Sequence, residues 1–316
     1  MHDGAPSLPG ALLHAEPELR HFVANGMLGV PTRRLYGRTL RAMALWLGVP
    51  PLVAACLAAV NARRAMHGVE RWWARGVVGN LGIQLEITGL QHITPGTRYV
   101  VASLHEGFAD VLALLHLPLD LRFAARDELF AWRLLGRYLR AAGNLRVSPE
   151  QGSRGYRRLR KAAAEVFDVG ETLVIFPQGT ILGVETDFSP GAFALARATQ
   201  RPLLPVALTG SHRVWDHPFS PRLRYGQRIS MCVLPPIPPE TFCDQDVDAI
   251  RQEVQRSLKA AALGGQMAPP RRFVPERDGY WDGYAYRIDP AFPALAEQVA
   301  RHRRTQHCAD LPVAHP

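Results

Sequence analysis

Between residues 83 and 259 short apolar runs alternate with longer helical patterns, and few architectures accept that order. Ile83–Thr88 alternates as a half-buried strand does, and Gly89 and Pro95-Gly96 mark the turns that follow. Tyr99–Leu104, Leu121–Ala125, Thr172–Phe176, Leu203–Leu208 and Ile229–Leu234 read as further strands. Val111–Leu115, Leu129–Ala142, Gly155–Val169, Phe193–Thr199 and Asp246–Lys259 read as helices, with Gly143 and Gly170 as stops. In the last of these, Val247, Ile250, Val254 and Leu258 share one face. Strands interleaved with helices predict an α/β fold, a central mixed sheet flanked by helices. A chain of 316 residues suits one such domain with extensions and is long enough to bury a sizeable core.

The flanks differ in character. Ala42–Val60 carries no charge and is closed by Arg63 and Arg64. As a helix it reaches roughly 28 Å, close to a membrane span, but Pro50 and Pro51 kink it. The expectation is an N-terminal apolar, membrane-associating helical segment, with a buried helix pair as the alternative. Trp72 and Trp73 lie beside basic residues and fit either a membrane interface or the core. After Gly264-Gly265 and Pro269-Pro270 comes a tail with an aromatic cluster at Gly279–Tyr284 and a helix near Ala291–His302. The division expected is 1–78 tail and apolar region, 79–263 catalytic domain, and 264–316 Pro/aromatic extension.

The formal charge of +9 calls for an anionic partner. No nucleic-acid motif has the required spacing, which leaves lipid headgroups or a phosphorylated substrate. Cys56, Cys232, Cys243 and Cys308 form no C-x-x-C pair, so neither a metal site nor a disulfide framework is expected. The N-terminus lacks the pattern of a secretory signal.

Two segments are placed for chemistry, each at the end of a strand. His105 and Asp110 lie five apart in Ser103-Leu104-His105-Glu106-Gly107-Phe108-Ala109-Asp110. A carboxylate on one imidazole nitrogen fixes the tautomer and stabilises the imidazolium, which makes the other nitrogen a base. Side chains five apart do not meet on a helix, so His105 must sit in the entry loop and Asp110 in the first turn. Twelve histidines give this spacing by chance in about every second such chain. The second segment is Phe176-Pro177-Gln178-Gly179-Thr180, whose loop N–H groups and polar side chains suit an oxyanion or phosphate. The basic run Arg154, Arg157, Arg158, Arg160, Lys161 precedes it, a solvated helix face or a surface for anionic lipid.

In this order the segments resemble the glycerophospholipid acyltransferase family, which contains the 1-acylglycerol-3-phosphate acyltransferases. That family shows H-x4-D, a basic central region, F-P-E-G-T, then a Pro in an apolar strand. His105-x4-Asp110, Phe123–Gly143, Phe176–Thr180, Pro190–Phe193 and Pro202–Val206 are similar to these, over roughly residues 80–240. The resemblance implies that His105 is the general base, oriented by Asp110, and that the acceptor hydroxyl attacks the thioester of acyl-CoA or acyl-carrier protein. It implies a membrane lipid acceptor, a membrane surface at the cytoplasmic face, and no metal or resident cofactor.

Three positions depart from the family pattern. Gln178 stands where Glu is usual, Ile181 where Arg or Lys is usual, and Pro149 where Gly143–Pro149 normally ends in Arg. Arg126, Arg146 or Arg154 is the expected substitute for the missing cations. Without one, the acceptor is a hydroxyl lipid other than lysophosphatidic acid. Gln178 and Thr180 are expected at the acceptor. A non-catalytic membrane-binding relative is the rival reading. A serine hydrolase lacks its G-x-S-x-G elbow here.

Overall fold

A computed structural model describes residues 28–29, 52–53, 56–57, 60, 62–131, 133–148, 151–215, 223–274 and 286–309. Its elements run β1 (Leu28–Gly29), α1 (Arg63–Asn80), β2 (Gln84–Thr88), β3 (Val100–Ser103), α2 (Asp110–Leu114), β4 (Leu121–Arg126), α3 (Asp127–Ala131), α4 (Arg133–Ala141) and β5 (Leu145–Val147). They continue with α5 (Gly152–Asp168), β6 (Thr172–Ile175), α6 (Gly191–Thr199), β7 (Leu203–Thr209), β8 (Leu223–Arg224), β9 (Arg228–Val233), α7 (Thr241–Asp244), α8 (Val247–Leu263) and α9 (Pro293–Ala309).

Seven strands form one sheet in the order β2-β9-β7-β3-β6-β4-β5. Every neighbouring pair is parallel except β7 and β9, so the sheet is mixed, as the alternation predicts. β3 and β6 lie side by side at its centre, with Ala102 opposite Ile175. The chain therefore leaves both strands at the same edge.

The two-residue period of the strands divides the core between the faces. Val100, Ala102, Leu173 and Ile175 face Leu159, Ala163 and Phe167 of α5, Phe193 of α6 and Leu258 of α8. Val101, Val174, Leu204 and Met231 face Val77, Val78, Leu81 and Leu114 on the other side. Asp246 caps α8 by accepting the Asp248 N–H rather than joining the helix.

Two elements differ from expectation. α1 is a full helix that runs across the expected boundary at residue 78, and Trp73 packs on the core while Trp72 is exposed. Its buried face carries His67 and Glu70 beside Met66 and Ala74, which breaks the apolar period. β5 has three residues with an exposed Arg146 at its middle, too short for alternation to register. Among the described residues no helix is long and apolar enough to cross a membrane. The stretch Ala42–Val60 lies mostly outside them, as do Pro149 and the Gly279–Tyr284 cluster.

Candidate active site

β3 ends at Ser103 and α2 begins at Asp110, so residues 104–109 form a short loop at the central sheet edge. This is the arrangement that the five-residue spacing requires. Gly107 is needed there, since a Cβ would lie 2.8 Å from the Trp215 carbonyl and 3.0 Å from the His212 nitrogen. The Asp110 side chain turns back over the loop. One oxygen meets His105 Nδ1 at 2.5 Å and accepts the N–H groups of Glu106 and Gly107 at 2.8 and 3.1 Å. Those backbone donors fix the carboxylate in place. With its proton on Nδ1 toward Asp110, the His105 ring carries its lone pair on Nε2. The Asp110 side chain is fully buried, while that of His105 keeps 18% of its surface. The ring stacks on Phe176, with centroids 3.8 Å apart and planes 14° from parallel.

Phe176–Thr180 leaves β6 beside this loop. Gly179 takes φ +70° with open space around its Cα, so glycine serves the backbone conformation and not a close approach. The side chain of Thr180 is buried, and its hydroxyl finds no partner among the described residues.

Gln178 has a different surrounding from the acceptor position expected for it. It is 1% exposed, and its carbonyl accepts the backbone N–H of His105 at 2.6 Å. Its amide nitrogen donates to the Gly183 carbonyl and, at 3.1 Å, to Thr186 Oγ1. The side chain thus ties the second loop to the first from beneath. Ile181 is also buried, 4% exposed, in an apolar cluster with Leu182, Phe273, Tyr286 and Val299.

Arg126 ends β4, and Arg146 lies on β5 opposite Ala125. At about 4.8 Å per strand, these strands stand roughly 10 and 14 Å from β3. Arg126 pairs with Glu128 at 3.2 Å, and the Arg146 guanidinium sits 4.8 Å from the Phe130 ring centre. Arg154 is exposed in the first turn of α5.

Glu106 escaped the sequence reading. It is fully buried and accepts the Gly210 N–H at 2.8 Å, His212 Nδ1 at 3.0 Å and the Arg271 N–H at 3.0 Å. Those partners are 104, 106 and 165 residues distant, and only the position of an acid next to His105 marks it.

A sequence profile described as Acyltransferase matches residues 84–209. A 1-acyl-sn-glycerol-3-phosphate acyltransferase of Chlamydomonas reinhardtii is 26% identical over 212 residues, 66% of this chain and 63% of that protein. The alpha form of that enzyme from Homo sapiens is 28% identical over 180 residues, 56% of this chain and 63% of that protein. The chain thus spans less than two thirds of these curated relatives. The crystal structure of the 1-acyl-sn-glycerophosphate (LPA) acyltransferase PlsC from Thermotoga maritima superposes with a TM-score of 0.56 at 18% identity. That superposition covers 72% of this chain and 94% of the other, a likeness of fold.

Proposed function

We propose, from the premise that residues 84–209 are an acyltransferase domain of the glycerophospholipid acyltransferase family, that this protein moves a fatty-acyl group from an acyl thioester to the hydroxyl of a lysophospholipid such as 1-acylglycerol-3-phosphate. The observation that carries the reading is the His105–Asp110 pair at 2.5 Å, set at the sheet edge beside the Phe176–Thr180 loop. His105 Nε2 takes the proton of the acceptor hydroxyl as its oxygen attacks the thioester carbonyl. The C–S bond then breaks, the new ester forms, and the imidazolium returns its proton to the leaving thiolate. Asp110 keeps the tautomer and stabilises the imidazolium. Loop N–H groups after Phe176 stabilise the oxyanion, and Thr180 with the Phe176–Gly179 backbone lines the acceptor side. The donor is acyl-CoA or acyl-carrier protein, and no metal or resident cofactor enters the reaction.

The setting is a membrane surface at the cytoplasmic face. Exposed Leu52, Val53 and Val60 ahead of α1 and Trp72 at its middle support it, since exposed apolar side chains suit a lipid interface.

A second reading keeps the chemistry and changes the acceptor to a hydroxyl lipid without a phosphomonoester. The burial of Ile181, where the family carries a cation, favours it. Arg126 and Arg146, already engaged by Glu128 and Phe130, would have to be recruited to bind a phosphate.

The test is transfer from labelled acyl-CoA and acyl-carrier protein into a panel of lysolipids, beside His105→Ala. Loss of general-base catalysis lowers kcat about 10²- to 10⁴-fold. Wild-type turnover in His105→Ala refutes the mechanism. Product only from phosphate-free acceptors selects the second reading.

A further inference from the structure

The residues after α8 lie outside the span of the acyltransferase profile, yet they contact both loops of the site. The Arg271 N–H reaches Glu106, the neighbour of His105, at 3.0 Å. The Arg271 carbonyl lies against Gly183, where a Cβ would approach it to 2.8 Å and where φ is +95°. Phe273 and Tyr286 cover Ile181 and Leu182, with Phe108 packed on the same cluster. Residues 286–289 then run antiparallel to 185–187. Thr186 pairs with Ile288, the Asp187 N–H reaches the Arg287 carbonyl at 2.8 Å, and the Asp289 N–H reaches the Glu185 carbonyl at 2.8 Å. Gly183 and Thr186 are the groups to which Gln178 donates while it accepts the His105 N–H.

Two arms therefore converge on His105. One passes through Glu106, the other through Gly183, Thr186 and Gln178. The anchor of the second arm is on α8. The buried Lys259 ammonium bonds the Thr186 carbonyl at 2.7 Å and pairs with Asp289. Gln255 donates to Asp289 at 2.7 Å and accepts the Phe188 N–H at 2.7 Å. A tail serving stability alone has no need to concentrate its polar contacts on the two loops that flank one histidine.

We infer that residues 268–274 and 286–289 are a positioning strap for the acyl-transfer site, and that Lys259 and Asp289 are positioning residues that orient His105 through Thr186 and Gln178. The inference rests on the reading of His105 as the base, but its test does not depend on that reading alone.

The full-length protein is used, with Asp289→Asn, Lys259→Arg and His105→Ala compared with wild type. Histidine ¹⁵N resonances report the His105 ring, assigned by its loss in His105→Ala, and transfer assays report kcat and KM per folded protein. Asp289→Asn is expected to shift the His105 resonances and leave those of His116 in place. It is expected to lower kcat about 10- to 100-fold, as small misplacements of a catalytic group do, with the KM for acyl-CoA held within about twofold. Lys259→Arg, which keeps the charge opposite Asp289, is expected to lose less than Asp289→Asn. If Asp289→Asn does not fold, Gln255→Met makes a milder cut at the same anchor. Unchanged His105 resonances and unchanged kcat, with only a lower melting temperature, overturn the strap. Undiminished transfer by His105→Ala refutes the base assignment instead, and the resonances still decide whether the strap orients the ring.

Discussion

Gln178 and Ile181 are uncharged at two positions where the family pattern carries an acid and a base, and the two departures have one cause. Both side chains are buried, at 1% and 4% exposure, Gln178 among His105, Gly183 and Thr186, and Ile181 against Phe273. A lone carboxylate or cation is costly in such a place unless its partner is present. Gln178→Glu is therefore expected to keep the bond to the His105 N–H and to lose the donor that faces the Gly183 carbonyl. The Gly183 carbonyl keeps the Thr186 hydroxyl as a donor at 2.6 Å, so the cost falls on the new carboxylate oxygen, buried against that carbonyl without a donor, at about 1–3 kcal/mol. Burial without a cation raises the pKa of the new carboxyl, so the penalty is full at high pH and fades as falling pH protonates it. Melting curves of the variant and wild type at pH 5 and pH 8 check this, with the larger difference expected at pH 8. An equal difference at both, with an altered acceptor profile, places residue 178 at the acceptor instead. The sequence marks both departures and the dyad, because H-x4-D demands a loop histidine and a first-turn aspartate. It leaves hidden that the Gln178 amide faces protein, since its partners Gly183 and Thr186 carry no motif of their own.

At the scale of elements, α1 shows why some packing cannot be read from an apolar pattern. Its buried face is joined to the sheet by charge. Arg122 of β4 bonds both oxygens of Glu70 at 3.1 and 3.2 Å and reaches Glu171 at 3.1 Å. His67 lies between the two acids, 2.8 Å from Glu171 and 3.2 Å from Glu70, and the Tyr138 hydroxyl donates to Glu70 at 2.6 Å. Burial opposes a charge on His67, but the hydrogen bonds to Glu171 and Glu70 outweigh it and raise its pKa above the ordinary value of 6.5. Burial likewise opposes charge on Glu70 and Glu171, yet bonding to His67 and the field of Arg122 hold both below 4.5. A raised histidine contributes stability that is complete below about pH 6.5 and is lost as pH rises through its folded value. The depressed acids contribute above about pH 4.5 and lose it as pH falls through their folded values. Wild-type protein is thus expected to lose stability between pH 6 and pH 9. His67→Gln removes one partner of a buried ionic group, costs about 3–5 kcal/mol at pH 6, and flattens that slope. Denaturant unfolding of both proteins at the two pH values measures it, and equal slopes refute the assignment. In the sequence only His67 and Glu70, three apart on α1, are neighbours, and nothing local brings Arg122 and Glu171 to them.

At the scale of the whole molecule, one row of exposed cations stands on α5, at the sheet edge that carries His105. β5 runs parallel to β4, and through β6 to β3, so α5 begins at the sheet edge that carries His105. Arg154, Arg157, Arg158 and Lys161 follow at intervals of three, one and three, which places them on one helical face, with Arg160 nearby. All five are exposed, and none makes an ion pair among the described residues. The opposite face buries Leu159, Ala163, Val166 and Phe167 against the sheet. Even Lys161, with Glu165 four residues on, forms no ion pair among the described residues, whereas Asp248 pairs with Arg251 on α8. A row of cations without ion pairs among the described residues, near a site proposed to take a lipid acceptor, fits anionic headgroups, each contributing about 1 kcal/mol close to the surface. Arg154, Arg157, Arg158 and Lys161 changed together to Gln are then expected to lose about 4 kcal/mol of vesicle affinity, on the order of 10³-fold. Sedimentation with phosphatidylserine-containing vesicles at low and high salt reads this directly. Wild-type binding is expected to weaken with salt and that of the fourfold variant to be nearly indifferent to it, because the screened charges are gone. Turnover of a short-chain, water-soluble acceptor is expected to be the same in both proteins, since no surface has to be reached. If the variant binds vesicles as wild type does, the apolar residues Leu52, Val53, Val60 and Trp72 carry the attachment and the basic face is a solvated one.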